Sequence, residues 1–178
     1  MIQIGKTTTV TAAEDPIQHL VACHRRIEAR LDTLVRAGEA WQEKTAEANE
    51  AIRNALTFME TTARLHTEDE EVSFFPRLVP RLESDEAQLV NRLMSDHTAS
   101  DEAFETLSDL AKQLQAGAPV SDAFTALARE IREMYRDHIT CEDRELTSIL
   151  RRILTPSDLN EIRHEMQLRR QRNSLPAA

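Results

Sequence analysis

Apolar residues recur along this chain at spacings of three and four, placing them on one face of a helix that turns about 100° per residue. Leu20, Ile27, Leu31 and Leu34 form such a stripe, predicting a first helix over about 16–37. Asp15 is placed to cap it, Pro16 takes a first position where its missing N–H costs nothing, and Gly38 stands where a left-handed terminal residue is expected. A second helix is predicted over about 45–74, with Ile52, Leu56, Met59, Ala63 and Phe74 inward and Pro76 and Pro80 breaking it afterwards. Ser84 begins a third, about 85–116, with Leu89, Leu93, Phe104 and Leu107 inward and Gly117 and Pro119 at its end. Leu127, Ile131, Met134, Tyr135, Leu146 and Ile149 mark a fourth over about 122–154 after Ser121, and Thr155-Pro156-Ser157-Asp158 opens a fifth, about 156–172, expected to pack outside the other four.

The stripes also carry residues that do not belong in an ordinary core. His24 lies between Leu20 and Ile27; His66 and Glu70 lie between Ala63 and Phe74; His97 follows Leu93; His138 and Glu142 lie between Tyr135 and Leu146. The spacing repeats: 42 residues separate His24 from His66, 41 separate His97 from His138, and four separate each second histidine from its glutamate. Neighbouring apolar positions repeat too, Leu20 with Leu93, Leu31 with Phe104, Leu34 with Leu107, Met59 with Ile131 and Phe74 with Leu146. A helical pair has been used twice, which predicts an all-α, up-down-up-down four-helix bundle with an additional C-terminal helix. Residues 1–14 read as a loose arm, 15–155 as the domain, and 156–178 as the last helix and a tail.

A histidine and a glutamate four apart are often only a surface ion pair worth about 0.2–0.5 kcal/mol. Two such pairs in register, each preceded by a stripe histidine at nearly the same distance, argue for convergence instead. A carboxylate on a buried stripe needs a partner, because unpaired it costs several kcal/mol or is forced to protonate. Four imidazoles and two carboxylates suit a pair of first-row metals roughly 3.5–4 Å apart, each ion taking two histidines and the glutamates bridging. Nitrogen and oxygen donors without thiolate suit iron or manganese, with zinc an alternative.

Composition narrows the remaining chemistry. Three glycines among 178 residues favour helix throughout, and a net charge of −9 argues against nucleic acid or an anionic membrane as partner. Arg169, Arg170 and Arg172 are expected as the cationic end of the last helix. Cys23 and Cys141 form neither a disulfide framework nor a zinc pattern, and no segment reads as a signal peptide or membrane span, so a soluble cytoplasmic protein is expected. Both cysteines read as packing residues. His19, five before His24, and His164, in an isolated Glu161-x-x-His164, read as surface residues; Tyr135 reads as core filling beside the site; Glu145 is a weak candidate ligand, since its counterpart is Ser73.

The segments DPIQHLVACH, HTEDEEVSFFPRL, LMSDH and HITCEDRELTSIL resemble the hemerythrin-like, or HHE cation-binding, family over about residues 15–155. The resemblance implies a non-haem di-iron centre, oxo- or hydroxo-bridged when oxidised. His24 and His66 would bind one iron, His97 and His138 the other, and Glu70 and Glu142 would bridge. The oxygen-carrying members are similar but have a fifth histidine where this chain has Leu93, and place their last carboxylate five after its histidine rather than four. The present set is closer to bacterial members implicated in repair of iron centres. The expected function is therefore binding or sensing of a small diatomic ligand, oxygen or nitric oxide, or handling of iron under oxidative or nitrosative stress. The alternatives are a di-iron oxidase or peroxidase-like enzyme and a metal-free helical interaction module.

Overall fold

The computed structural model describes residues 15–174, and these form five helices without a strand; the expected N-terminal arm, 1–14, and the tail after 174 lie outside the described residues. Helix α1 is Pro16–Glu39, α2 covers 45–78 and ends in a 3-10 turn at Val79–Arg81, α3 is Ser84–Gln115, α4 covers 121–153, and α5 is Pro156–Ser174. Helix α1 packs between α2 and α4, α3 packs on α4 and more loosely on α2, and α5 lies outside against α1 and α2. The bundle and its added helix are those expected from the stripes.

Local sequence accounts for most helix ends. Asp15 accepts from the Ile17 N–H at 3.0 Å, while Thr155 and Asp158 cap α5 reciprocally, each side chain accepting from the other's backbone N–H. At α3 the capping residue is Glu83 rather than Ser84, paired in the same way with Glu86. Gly117, at φ 87°, supplies the left-handed residue after α3.

Gly38 does something else than expected. It lies inside α1 without positive φ, and a Cβ there would run into the Thr125 hydroxyl and come within 3.1 Å of the Phe124 ring. Its missing side chain lets α1 approach α4 closely, which a cap signature cannot distinguish.

Two features of α2 and α4 bear on the site. Helix α2 does not stop at Phe74 but continues through Pro76 to Leu78. Both helices widen at the same place: the Phe75 N–H reaches back five residues to the Glu70 carbonyl, and the Thr147 N–H reaches five back to that of Glu142. The Thr147 hydroxyl donates to the same carbonyl at 3.0 Å. Such π turns occur often at functional sites. Pro76 is not their common cause, because its counterpart in α4 is Ser148. Beyond the π turns, Phe74, Phe75 and Leu78 are buried below Glu70, and Leu146, Ile149 and Leu150 below Glu142.

The core is therefore split into two clusters. One, around Ile27, Leu31, Ile52, Leu107 and Phe124, fills the end of the bundle at the α1–α2 and α3–α4 loops. The other, around Leu20, Phe74, Leu78, Leu93 and Leu150, fills the opposite end and reaches Ile162 and Met166 of α5. The polar residues of the stripes lie between them.

Candidate metal centre

All six predicted donors are buried, from 0% exposed at Glu70 to 8% at His97 and His138. Each comes from a different turn of the bundle, yet they form one ring of contacts around it. The rings of His24 on α1 and His66 on α2 stand edge to face with centroids 4.8 Å apart. The Glu70 carboxylate of α2 lies 3.6 Å from His66 Nε2 and 3.4 Å from His97 Nε2 on α3. His97 Nε2 faces His138 Nε2 of α4 at 3.2 Å, and Glu142 on α4 lies 3.1 Å from His138 Nε2 and 3.2 Å from His24 Nε2. Every interface between adjacent helices is crossed once, and each glutamate joins the two histidine pairs.

This cluster is poorly satisfied as it stands. Both oxygens of Glu70, both of Glu142, Nε2 of His24 and Nδ1 of His66 are buried with no hydrogen-bond partner among the described residues. Native proteins rarely leave buried polar groups so, since each costs about 1–3 kcal/mol, more when charged. Electrostatics says the same. Burial and the neighbouring Glu142 push the Glu70 carboxyl well above its usual range, while in Glu142 contacts with His138 and His24 outweigh burial and hold it well below. Burial opposes protonation of His24 and His138, but their contacts with Glu142 win and raise both; at His66 burial wins, aided by the His24 charge, and the ring stays neutral. Cations among these donors would satisfy the carboxylates and the inward imidazole nitrogens at once. His24, His66, Glu70 and Glu142 can offer donor atoms within 4.8 Å of one another, and so can His97, His138 and Glu142.

A second layer of acids orients the rings. His24 Nδ1 meets Asp143 at 2.7 Å, His97 Nδ1 meets Glu71 at 2.8 Å, and His138 Nδ1 meets Asp96 at 3.3 Å. These contacts direct Nε2 inward and raise its basicity as a ligand. Sequence reasoning missed all three, although a signal was present for two of them: an acid follows each glutamate, in Glu70-Glu71 and Glu142-Asp143. The first acid of each pair faces its own helix's histidine, and the next reaches the lone histidine of the neighbouring helix.

The other singled-out residues divide. Tyr135 lies beside His138 at 6.4 Å between centroids and stands edge-on to Phe104; burial pushes its hydroxyl pKa up. Leu93 is fully buried one turn before His97. His164 and Glu145 are exposed. Burial pushes the Cys23 thiol up to about 11 and also raises Cys141, so neither is poised as a thiolate.

His19, Arg169 and Arg170 differ from expectation. Arg169 is only 5% exposed; it and Arg170 reach Asp69, which is fully buried between His66 and Glu70, and Arg169 also donates to the Ser73 hydroxyl at 2.9 Å. Arg170 contacts His19 Nε2 at 3.0 Å, leaving that ring half-buried rather than on the surface. Arg77 and Arg81 of α2 pair with Glu165 and Asp158 of α5. Arg169 and Arg170 thus fasten α5 to the site-bearing stretch of α2, while Arg172 stands in the last turn of α5 as expected.

No helix among the described residues is long and apolar enough to cross a membrane. No curated protein matches the chain significantly. The model of the hemerythrin HHE cation-binding domain matches residues 15–150. With that match over most of the chain, an all-helical bundle and a buried His/Glu cluster suited to a metal ion, the protein belongs to the hemerythrin HHE cation-binding family.

Proposed function

We propose that the chain holds two iron ions, one at His24 and His66 and one at His97 and His138, with Glu70 and Glu142 shared, and that this pair binds a small diatomic ligand, oxygen or nitric oxide. The observation that supports it most is the set of buried, unpartnered donor atoms: four carboxylate oxygens facing imidazole nitrogens, costly to bury unless cations sit among them. An iron pair there supplies electrons and coordination positions to the ligand. The protein's part is to hold and shield it. Asp143, Glu71 and Asp96 fix the ring orientations of His24, His97 and His138. Two nitrogens and two shared carboxylates give each ion fewer protein donors than an octahedral metal takes, and Leu93 adds none. Phe75, stacked on His97 at 6.3 Å, and Leu93 keep water from the second pair.

A groove of about 760 Å³ between α2 and α3, floored by Met59, Ala63, Phe104 and Tyr135 and reaching Glu71, offers small molecules an approach from the His97 side. Purified protein is expected to contain about two irons per chain and to absorb in the near ultraviolet. After anaerobic reduction, oxygen or nitric oxide should each give a stable new spectrum. Absence of metal after expression in iron-rich medium, with stability unchanged in His66→Ala, would refute the proposal, while continuous consumption of oxygen or peroxide would make the protein an oxidase or peroxidase instead.

A further inference from the structure

The two histidine pairs match in sequence and position but not in what stands behind them. Three of the four imidazoles have a carboxylate at Nδ1; His66 has none among the described residues, although it is buried as deeply as the rest. The repeat shows why. His138 is served by Asp96, the residue before the lone histidine of α3. The residue before the lone histidine of α1 is Cys23, buried and carrying no carboxylate. Asp69, nearly one turn along α2, cannot substitute, because both its oxygens are engaged by Arg169 and Arg170.

We infer that the two metal positions are unequal, the His24–His66 position being the weaker and the one that loses or exchanges its ion first, because Cys23 stands where the other half carries Asp96. The inference rests on the proposed assignment of two ions to the six donors. A carboxylate behind a histidine ligand orients the ring and increases its basicity, and its removal typically lowers metal affinity about 10- to 100-fold. The other outer contacts correspond, Asp143 on His24 against Glu71 on His97, and Asp143 is shared with Arg25, which draws charge from the first position rather than the second.

The test is a titration of the metal-free protein with cobalt(II), followed by its visible absorption and by metal analysis after dialysis. Two steps are expected, and dialysis should strip one ion well before the other. Cys23→Asp should tighten the weaker step by about tenfold or more and leave the tighter step in place, whereas Asp96→Ala should weaken the tighter step by a comparable factor. Both changes bring the steps together from opposite directions, which the general repulsion between two ions sharing carboxylates would not do. Cys23→Ser controls for loss of the thiol and should change neither step. If Cys23→Asp does not fold, as circular dichroism would show, Asp96→Ala decides alone. Steps unmoved in the folded variants would overturn the inference, as would loss of the second ion in Cys23→Ser, which would make the thiol a ligand. A protein that binds no cobalt, iron or manganese would instead overturn the assignment of the ions.

Discussion

The α1–α2 pair and the α3–α4 pair carry the same donors at the same spacing, and both break into a π turn at the glutamate. Around that shared frame almost every supporting residue differs. Before Glu70 stands Asp69, fully buried and held by two arginines from α5; before Glu142 stands Cys141, also buried, with Arg92 donating to its sulfur at 2.8 Å. Before the lone histidines stand Cys23 and Asp96, and at the far ends of α1 and α3 stand Gly38 and Ala111. The donors and the helical phase that presents them are common to both halves. The surroundings follow each half's own neighbours: α5 covers the first, and the α2–α3 groove opens beside the second.

The largest effect should come where the halves are bound together. Because Glu70 and Glu142 each reach histidines of both pairs, Glu70→Gln and Glu142→Gln should each release both ions, not one, dropping bound metal from about two per chain to well below one. The Glu70→Gln protein should still fold in the absence of metal, since burial and the neighbouring Glu142 already disfavour the charged form of that carboxyl. Metal analysis of each variant after gel filtration checks this. Retention of one tightly held ion in either variant would show that the halves are independent sites.

Next comes the contrast between the two arginine contacts, Arg169 on Asp69 being buried and the exposed Arg92 on Cys141 only partly so. Removing a partner from a buried ion pair leaves an uncompensated charge and costs about 3–5 kcal/mol, whereas an arginine on a neutral thiol contributes an ordinary hydrogen bond of about 1 kcal/mol. Arg169→Met should therefore lower stability by about 3 kcal/mol, Arg170 still holding part of Asp69, and should loosen α5 to limited proteolysis. Arg92→Met should cost about 1 kcal/mol or less. Urea unfolding of the two variants side by side measures the difference, and equal losses would mean that the α5 clamp adds nothing beyond a surface contact.

This contrast also marks where the chain was legible. Stripes, caps and the doubled histidine spacing located five helices and brought six side chains to one place, because those features are periodic and depend on one helix at a time. The π turns were invisible, since Glu70 to Phe74 and Glu142 to Leu146 keep a spacing of four that an α-helix also presents inward. Asp69 looked like one more acid in TEDEE, and Arg169 like one more base at a helix end, because their burial is decided by α5 meeting α2 across 100 residues. Asp96 and Cys23 acquire meaning only once α3 is beside α4 and α1 beside α2.

A smaller difference separates the helix contacts at Gly38 and Ala111. Alanine is the better helix former by about 0.8–1.0 kcal/mol, so in isolation Gly38→Ala would be a gain. Against Thr125, whose hydroxyl donates to the Ser121 carbonyl at 2.8 Å, the added methyl has no room, and overpacking costs about 1–3 kcal/mol. The net expectation is a loss of about 1 kcal/mol, recovered when Thr125→Ala is added. Ala111→Gly should lose at least as much, through propensity and the loss of a buried methyl, with no rescue at Thr125. A double-mutant cycle in thermal unfolding separates the two causes.

The smallest effect belongs to His19, which has no counterpart contact in the second half. Burial first, and then the Arg170 charge, depress its pKa from the ordinary histidine value of 6.5 to about 4. It is neutral in the native protein at pH values where the unfolded chain already binds a proton, so the unfolded state is favoured as pH falls from about 6.5 towards 4, and nothing is lost above 6.5. The ring is partly exposed, so solvent screening reduces the contribution to about 1 kcal/mol. Wild type should therefore lose about that much more stability between pH 7 and pH 5 than His19→Gln, whose amide can still accept from Arg170 but does not titrate. Parallel urea titrations at the two pH values measure it. Identical pH dependence would mean that His19 takes up its proton in the folded protein by turning away from Arg170, and that α5 is held on the first half by Asp69 without help from the ring.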